Sequence, residues 1–328
     1  MTTLLKVSQL TKHYTVQKRS LFGSSRKVVH AADDVTFEIN EGETFGLVGE
    51  TGCGKTTIAK IVAGLIQPTS GHIYFSGDDI FSLNKDDFRK FRPKMQLIFQ
   101  DPYASLNPRQ TTEDIITMPL RANHLVEKRD EEEKASALLE KVGLSPASNF
   151  LRKYPHELSS GQRQRVGIAR ALALNPKFII ADEPVSALDA SIKSQILTLL
   201  QKLKKESGVT YFVISHDLAT IRYLCTTVAV MHLGKLVELS DSEDIFNFPE
   251  HPYTQALLSA TPEIGDSEND QKLRLEGELP SPINLPTGCR FHTRCPFAQP
   301  KCTSEEPQLR QTRMRHFVAC HFPTSERN

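Results

Sequence analysis

The chain predicts an α/β fold carrying a small cysteine-bearing extension, and three observations lead there. Short apolar runs of β type, Thr44 to Val48, Phe178 to Ile180 and Tyr211 to Ile214, alternate with helical patterns, as buried parallel strands and their crossover helices do. The segment Ser191 to Ser207 is the clearest helix, because Ile192, Ile196, Leu199, Leu200 and Leu203 recur at spacings of three and four and Gly208 follows as a stop. That stripe is read as core packing. Ten of the 19 prolines lie from Pro249 onward, so regular structure gives way to a tail.

The boundary is placed near residue 262, ahead of the polar, acidic segment Ile264 to Gln271 (IGDSENDQ), which lacks periodicity and reads as a linker. It divides the chain into 1–262 and 263–328. Near the N-terminus, Gln17 to Lys27 (QKRSLFGSSRK) is basic and reads as a solvated loop interrupting a strand pair.

At 328 residues, 39% hydrophobic and 24% charged, the chain can bury a core without disulfide staples. Its 40 Lys and Arg against 39 Asp and Glu leave a net charge of +1, which argues against a protein that neutralises phosphate backbones; no nucleic-acid partner is expected. No apolar run approaches the roughly 18 to 20 residues of a spanning helix, and the first residues lack a signal-peptide core. A cytoplasmic protein, or one peripheral to a membrane, is expected. Six cysteines in such a chain point to reduced thiols or metal ligands.

The segment Gly49 to Thr56 (GETGCGKT) matches G-x-x-x-x-G-K-[ST] between the strand TFGLV and a helical pattern beginning near Lys55. Gly49, Gly52 and Gly54 let backbone amides turn inward around phosphate oxygens, with Glu50, Thr51 and Cys53 as the intervening positions and Thr57 just beyond. Lys55 adds a point charge, the Thr56 hydroxyl suits Mg²⁺, and the helix N-terminus contributes its dipole. Phe178 to Glu183 (FIIADE) is a buried strand ending in two carboxylates, the arrangement in which Asp182 holds Mg²⁺ and Glu183 orients or deprotonates the attacking water. Apolar strands often end in acidic turns; the phosphate loop gives this one its meaning.

Leu158 to Gln162 (LSSGQ) precedes the ADEP segment by about twenty residues, and with it the chain resembles the ATP-binding subunit of an ABC transporter. The resemblance implies an ABC-type P-loop ATPase domain with a RecA-like core, an antiparallel β subdomain and a helical subdomain. It also implies roles for single residues. Tyr14 matches the aromatic that stacks on adenine, and Gln100, in LIFQDP, the glutamine that contacts the metal and the attacking water. Ser186, Ala187, Leu188 and Asp189 match the loop that crosses to a partner ATPase, and His216 matches the switch histidine at the γ-phosphate. Ser159, Ser160, Gly161 and Gln162 match the signature that meets the partner's ATP in trans. Ser160 stands where the family usually has a glycine, and a Cβ there narrows the allowed backbone.

Cys289, Cys295, Cys302 and Cys320, separated by five, six and seventeen residues, suit either a tetrahedral Zn²⁺ or an iron–sulfur cluster, and spacing alone does not choose between them. His292, His316 and His321 are substitute ligands. The segments HPYTQALLSATP from His251 and GELPSPINLPTGCRF from Gly277 resemble the C-terminal extension of ATPases in the dipeptide and oligopeptide importer branch. YPHELSSGQRQR and DPYASLNPR extend that resemblance over nearly the whole chain. The branch implies ATP, Mg²⁺ and a [4Fe-4S] cluster on the four cysteines. It also implies a homologous second ATPase forming a heterodimer, two transmembrane permeases, an extracytoplasmic peptide-binding protein, and a place on the cytoplasmic face of the membrane. Nickel, oligosaccharide, glutathione or haem are alternative cargoes. A soluble ABC ATPase is the reading from another class, though the paired nucleotide domains or coiled-coil insertions it would bring are not visible.

Overall fold

The computed structural model describes residues 2–20, 23–260 and 280–326. The 264–271 linker and the first residues of the GELPSPINLPTGCRF segment lie outside them. Among the described residues the strands are β1 (Thr3–Ser20), β2 (Gly23–Asn40), β3 (Thr44–Val48), β4 (Ser70–Phe75), β5 (Asp78–Asp79), β6 (Met95–Ile98), β7 (Phe178–Asp182), β8 (Thr210–Ser215), β9 (Thr227–His232), β10 (Lys235–Asp241), β11 (Arg310–Arg313) and β12 (His316–Val318). Two compact units form, one from Met1–Ser82 with Ser215–Asn328 and one from Leu83–Ile214.

In the first unit β2, β1, β4 and β5 make an antiparallel sheet. A second sheet runs β11, β12, β10, β9, β3, antiparallel except where β3 lies parallel to β9 with Val48 opposite Val230. Every residue of β3 is buried, which is why the sequence shows a continuous apolar run and no alternation. Phe37 and Phe45 stack with ring centroids 4.9 Å apart.

Residues 17–20 and 23–27 are not a loop. β1 and β2 continue as a paired ribbon from Val16 opposite Lys27 to Ser20 opposite Gly23. Backbone pairing asks nothing of side-chain polarity, so a polar ribbon leaves no period for sequence reading to find.

In the second unit β6, β7 and β8 are parallel neighbours, with Phe178 opposite both Met95 and Thr210. The helices Thr112–Ala122, Glu131–Lys141 and Ser160–Leu172 pack on one another. Thr111 and Asp114 form a reciprocal capping box that starts the first of them. The helix expected over 191–207 spans Ala190–Ser207 and ends at Gly208 in the left-handed region, φ 65°. Its buried stripe is Ile196, Leu197, Leu199, Leu200 and Leu203. Ile192 is only half-buried, and Leu197 takes its place in the core. Truncating one of these leucines to alanine removes about 2–5 kcal/mol of transfer and cavity energy.

The cysteine-bearing tail belongs to the first unit and builds part of its core. Phe291 is 1% exposed, and β12 pairs with β10 at Phe317 opposite Leu239 and Val318 opposite Glu238. A buried hydrogen-bonded contact fastens it: His316 Nε2 lies 2.7 Å from Glu238 Oε1, both side chains fully inaccessible. The Glu238 carboxylate also accepts from the backbone N–H groups of Glu250 (2.7 Å) and His251 (3.1 Å). Removing one partner of such a contact leaves a buried polar atom without its hydrogen bond. His316→Ala is expected to cost about 2 kcal/mol in urea unfolding and to open the 310–326 segment to limited proteolysis. A loss below about 1 kcal/mol with unchanged proteolysis would show that the pair does not hold the tail.

Candidate functional site

The glycine-rich loop follows the buried strand β3 and leads into the helix Lys55–Val62, as the sequence pattern anticipates. Two of its glycines are required by close approach. A Cβ on Gly49 would stand 2.1 Å from the Met231 carbonyl oxygen, and one on Gly54 1.9 Å from that of Ala31, with φ at +152° and +114°. Only a backbone without side chains fits there, so the loop presents amides. Lys55 is buried, its Nζ donating to the carbonyls of Gly49 (2.7 Å) and Glu50 (3.0 Å). Thr56 and Thr57 are half-buried in the first helical turn. Cys53 packs inside the loop, 1% exposed, and burial pushes its thiol pKa up, the small buried residue expected.

Glu50 is held from several sides. Arg294, its side chain 5% exposed, donates from Nη1 to Oε2 at 2.8 Å and from Nη2 to Oε1 at 3.0 Å. The Glu50 N–H donates to the Tyr253 hydroxyl at 2.9 Å. Burial raises the Glu50 carboxyl pKa, but the Arg294 hydrogen bonds and charge outweigh it and hold it below the ordinary value. Neither Arg294 nor Tyr253 was singled out from sequence, although Tyr253 stands in the segment HPYTQALLSATP and Arg294 directly before Cys295.

Tyr14 is 38% exposed on β1, with Lys12 Nζ 5.1 Å from its ring centroid. His216 is exposed just beyond β8, and Asp217 caps the following helix Leu218–Leu224 by accepting from the Ala219 N–H.

In the second unit, Asp182 is buried at the end of β7 and Glu183 follows in the left-handed region, φ 47°. A non-glycine residue there is strained, and such strain concentrates at functional positions. The Glu183 N–H donates to Ile214 O at 2.8 Å, and Gln100 Nε2 donates to Glu183 Oε2 at 2.9 Å. Gln100 and Glu183, singled out separately, are thus brought into contact.

Ser159 and Gln162 cap the helix Ser160–Leu172 reciprocally, N–H of Ser159 to Gln162 Oε1 at 3.0 Å and N–H of Gln162 to Ser159 Oγ at 3.3 Å. Ser160 is the first helical residue, so its Cβ meets no backbone restriction. The tight glycine is Gly161, where a Cβ would stand 2.6 Å from Ile192 Cγ2. Gln164, buried and not foreseen, donates to Pro184 O at 2.7 Å, tying this helix to the turn after Glu183. Ser186, Ala187 and Asp189 are exposed and Leu188 half-buried, with Ser186 Oγ donating to Glu183 O at 3.2 Å.

Cys289, Cys295, Cys302 and Cys320 line one small pocket with Phe291, Phe297 and Phe322. All four are free thiols. Burial, reinforced by the neighbouring thiols, pushes the Cys289 pKa up to about 12. Among the substitutes, His292 and His321 line the same pocket, but the buried contact with Glu238 holds His316 elsewhere. Among the described residues, three ligand atoms within 4.8 Å of one another occur at His13, His30 and Asp33. Arg290 already occupies that carboxylate, so the group is an ion-paired cluster.

These features define a P-loop ATP-binding cassette. Residues 32–186 match the family model described as ABC transporter, and residues 237–302 that described as Oligopeptide/dipeptide transporter, C-terminal region. The chain is 48% identical to the putative oligopeptide transport ATP-binding protein YkfD of Bacillus subtilis over 97% of its own length and 95% of that protein. It is 47% identical to the oligopeptide transport ATP-binding protein OppF of Salmonella typhimurium, with the same coverage of both chains. Among solved structures it is similar to the ATP-binding cassette MJ0796, described as a dimer in a post-hydrolysis state bound to ADP and Pi. The TM-score there is 0.64 at 30% identity, covering 73% of this chain and 99% of that one. The chain belongs to the ABC transporter family, with the C-terminal region characteristic of oligopeptide/dipeptide transporter ATP-binding proteins. The α/β fold read from sequence is the fold of those cassettes.

His232 gives the loop's surroundings a pH signature. It is fully buried, its ring 4.4 Å from that of Tyr253 and 5.5 Å from that of Phe291 by centroids. Burial, against the pull of Glu50, pushes its pKa down from 6.5 to about 4. The unfolded chain therefore takes up this proton before the folded one does, and stability falls as pH drops from about 6.5 toward 4, by at most about 1.4 kcal/mol per unit. Urea unfolding between pH 7 and pH 5 should show a shallower slope for His232→Phe than for wild type. Equal slopes would assign the dependence to other groups.

Proposed function

We propose that this chain is the ATP-hydrolysing subunit of a membrane ABC importer for di- and oligopeptides. The observation that carries the reading is a phosphate loop cradled by Gly49 and Gly54 in a chain that also carries the oligopeptide/dipeptide transporter C-terminal region. Its relatives are named for oligopeptide transport. No helix among the described residues is long and apolar enough to cross a membrane, so the proposal places the chain at the cytoplasmic face of separate permease subunits. The division into an ATP-binding domain, 1–262, and an extension, 263–328, is part of the same reading.

In this reading the loop from Gly49 to Thr57 receives the phosphates and Lys55 turns its charge to the outer ones, exchanging the carbonyls it now holds. Tyr14 offers a flat polarisable face to adenine. Thr56, Asp182 and Gln100 offer the hard oxygen donors that suit Mg²⁺, which when bound neutralises charge on the phosphates. Glu183 accepts a proton from, or orients, the attacking water, and the Gln100 hydrogen bond sets its carboxylate. His216 serves the γ-phosphate from its exposed position after β8. One phosphate loop per chain calls for a second ATPase. Ser159, Ser160, Gly161 and Gln162 meet the ATP bound to that subunit, and Ser186 to Asp189 cross to it. Two permeases and an extracytoplasmic peptide-binding protein complete the assembly.

The four thiols offer the soft donors that a [4Fe-4S] cluster takes, as the resemblance to the importer branch implies. They line one pocket. Such a cluster would supply soft iron centres that take Cys289 as thiolate in spite of its raised pKa.

Tagged chain purified from detergent-solubilised membranes is expected to bring two permeases and a second ATPase. In that preparation Glu183→Gln should keep ATP binding, favour a closed dimer and lose turnover by about 10²-fold or more. Wild-type hydrolysis in the variant would remove Glu183 from its role, and an ATPase that recovers no membrane protein would point to a soluble cassette. Anaerobic purification should yield a brown protein with iron and acid-labile sulfide; a colourless protein with stoichiometric zinc would replace the cluster with Zn²⁺.

A further inference from the structure

We propose that Arg294 is a positioning residue for the phosphate-binding loop, through which the cysteine-bearing segment sets the affinity of this chain for nucleotide. The inference rests on the reading that residues 49–57 bind ATP. Glu50 is the second residue of that loop, and no phosphate contact calls for a carboxylate there; a negative charge beside an incoming polyphosphate is unfavourable unless it is neutralised. Arg294 neutralises it with a two-pronged contact at 2.8 and 3.0 Å. The guanidinium is nearly inaccessible, so the pair is little screened by solvent.

The clamp acts on the backbone that matters. The carbonyls of Gly49 and Glu50 are the two that hold Lys55 Nζ, and the Glu50 N–H is fixed by the Tyr253 hydroxyl. A Glu50 side chain locked by Arg294 therefore fixes the peptide that sets where the Lys55 ammonium sits. The segment that carries Arg294 is itself braced. Phe291 packs on Tyr253 with centroids 5.3 Å apart, the Arg294 N–H donates to Phe291 O at 3.0 Å, and Arg290 reaches Leu233 O and Asp33. Cys289 and Cys295 bracket this turn. Tyr253 and Arg294 thus converge on one loop residue from two elements of the C-terminal part of the chain.

A merely structural ion pair would change stability and leave nucleotide affinity alone. The test uses the full chain and its Arg294→Ala, Arg294→Lys, Glu50→Gln and Arg294→Ala/Glu50→Gln variants, titrated with a fluorescent ATP analogue and assayed for KM and kcat. Loss of a charged hydrogen-bonded contact predicts a rise of about tenfold in Kd and KM for Arg294→Ala, with kcat changed less than twofold. Lysine keeps the charge without the fork, so Arg294→Lys should fall between wild type and alanine. Because both residues act through one contact, the double variant should be no weaker than the worse single one. Unchanged Kd in Arg294→Ala with a lowered melting temperature would overturn the proposal, as would additive losses in the double variant. Should Arg294→Ala fail to fold, Arg294→Lys with wild-type Kd and KM would overturn it equally. Wild-type chain that binds no nucleotide would instead refute the ATP-binding reading beneath it.

Discussion

The close approach of the loop backbone to two neighbouring strands is the constraint on which the functional part of this molecule depends. Gly49 lies against the Met231 carbonyl and Gly54 against that of Ala31, so the loop cannot widen and cannot carry side chains at those points. Its shape follows from strand register: β3 lies parallel to β9 with Val48 opposite Val230, which delivers Gly49 to Met231. A concave backbone surface is therefore a product of sheet pairing. The lysine at its end finds its carbonyl partners on Gly49 and Glu50 of the same loop.

Much of this could be read in the chain. β3, β7 and β8 are legible because strands buried on both faces keep continuous apolar runs, and the Ala190–Ser207 helix because its stripe and its glycine stop are local signals. The phosphate loop is legible for the same reason, since its residues are contiguous. The ribbon of residues 17–20 and 23–27 was not, because backbone pairing leaves no mark on polarity. Ser160 takes an ordinary helical backbone, and the crowding of Cβ falls one residue later, at Gly161.

What the chain hid are contacts between residues far apart in sequence. Arg294 and Glu50 are separated by 244 positions, and nothing in the local pattern of either announces the other. His316 reads as a metal ligand from its neighbourhood of cysteines, yet its imidazole is engaged by a carboxylate on β10. Gln164 shows no amphipathic anomaly, yet it holds the turn that carries Glu183. Each is a buried polar contact whose partner is chosen by topology, and topology is where pattern reading stops.

The position of β12 against β10 also bears on how the chain can be handled. β10, with the sequence KLVELSD, is covered on one side by β9 and on the other by the tail. Without the tail its backbone ladder would become an apolar, unpaired sheet edge, the surface on which chains add to one another. The tail replaces that edge with β11, RQTR, whose Arg310 and Arg313 are exposed charges unfavourable to a further strand. A chain shortened before β11 would lay that ladder bare.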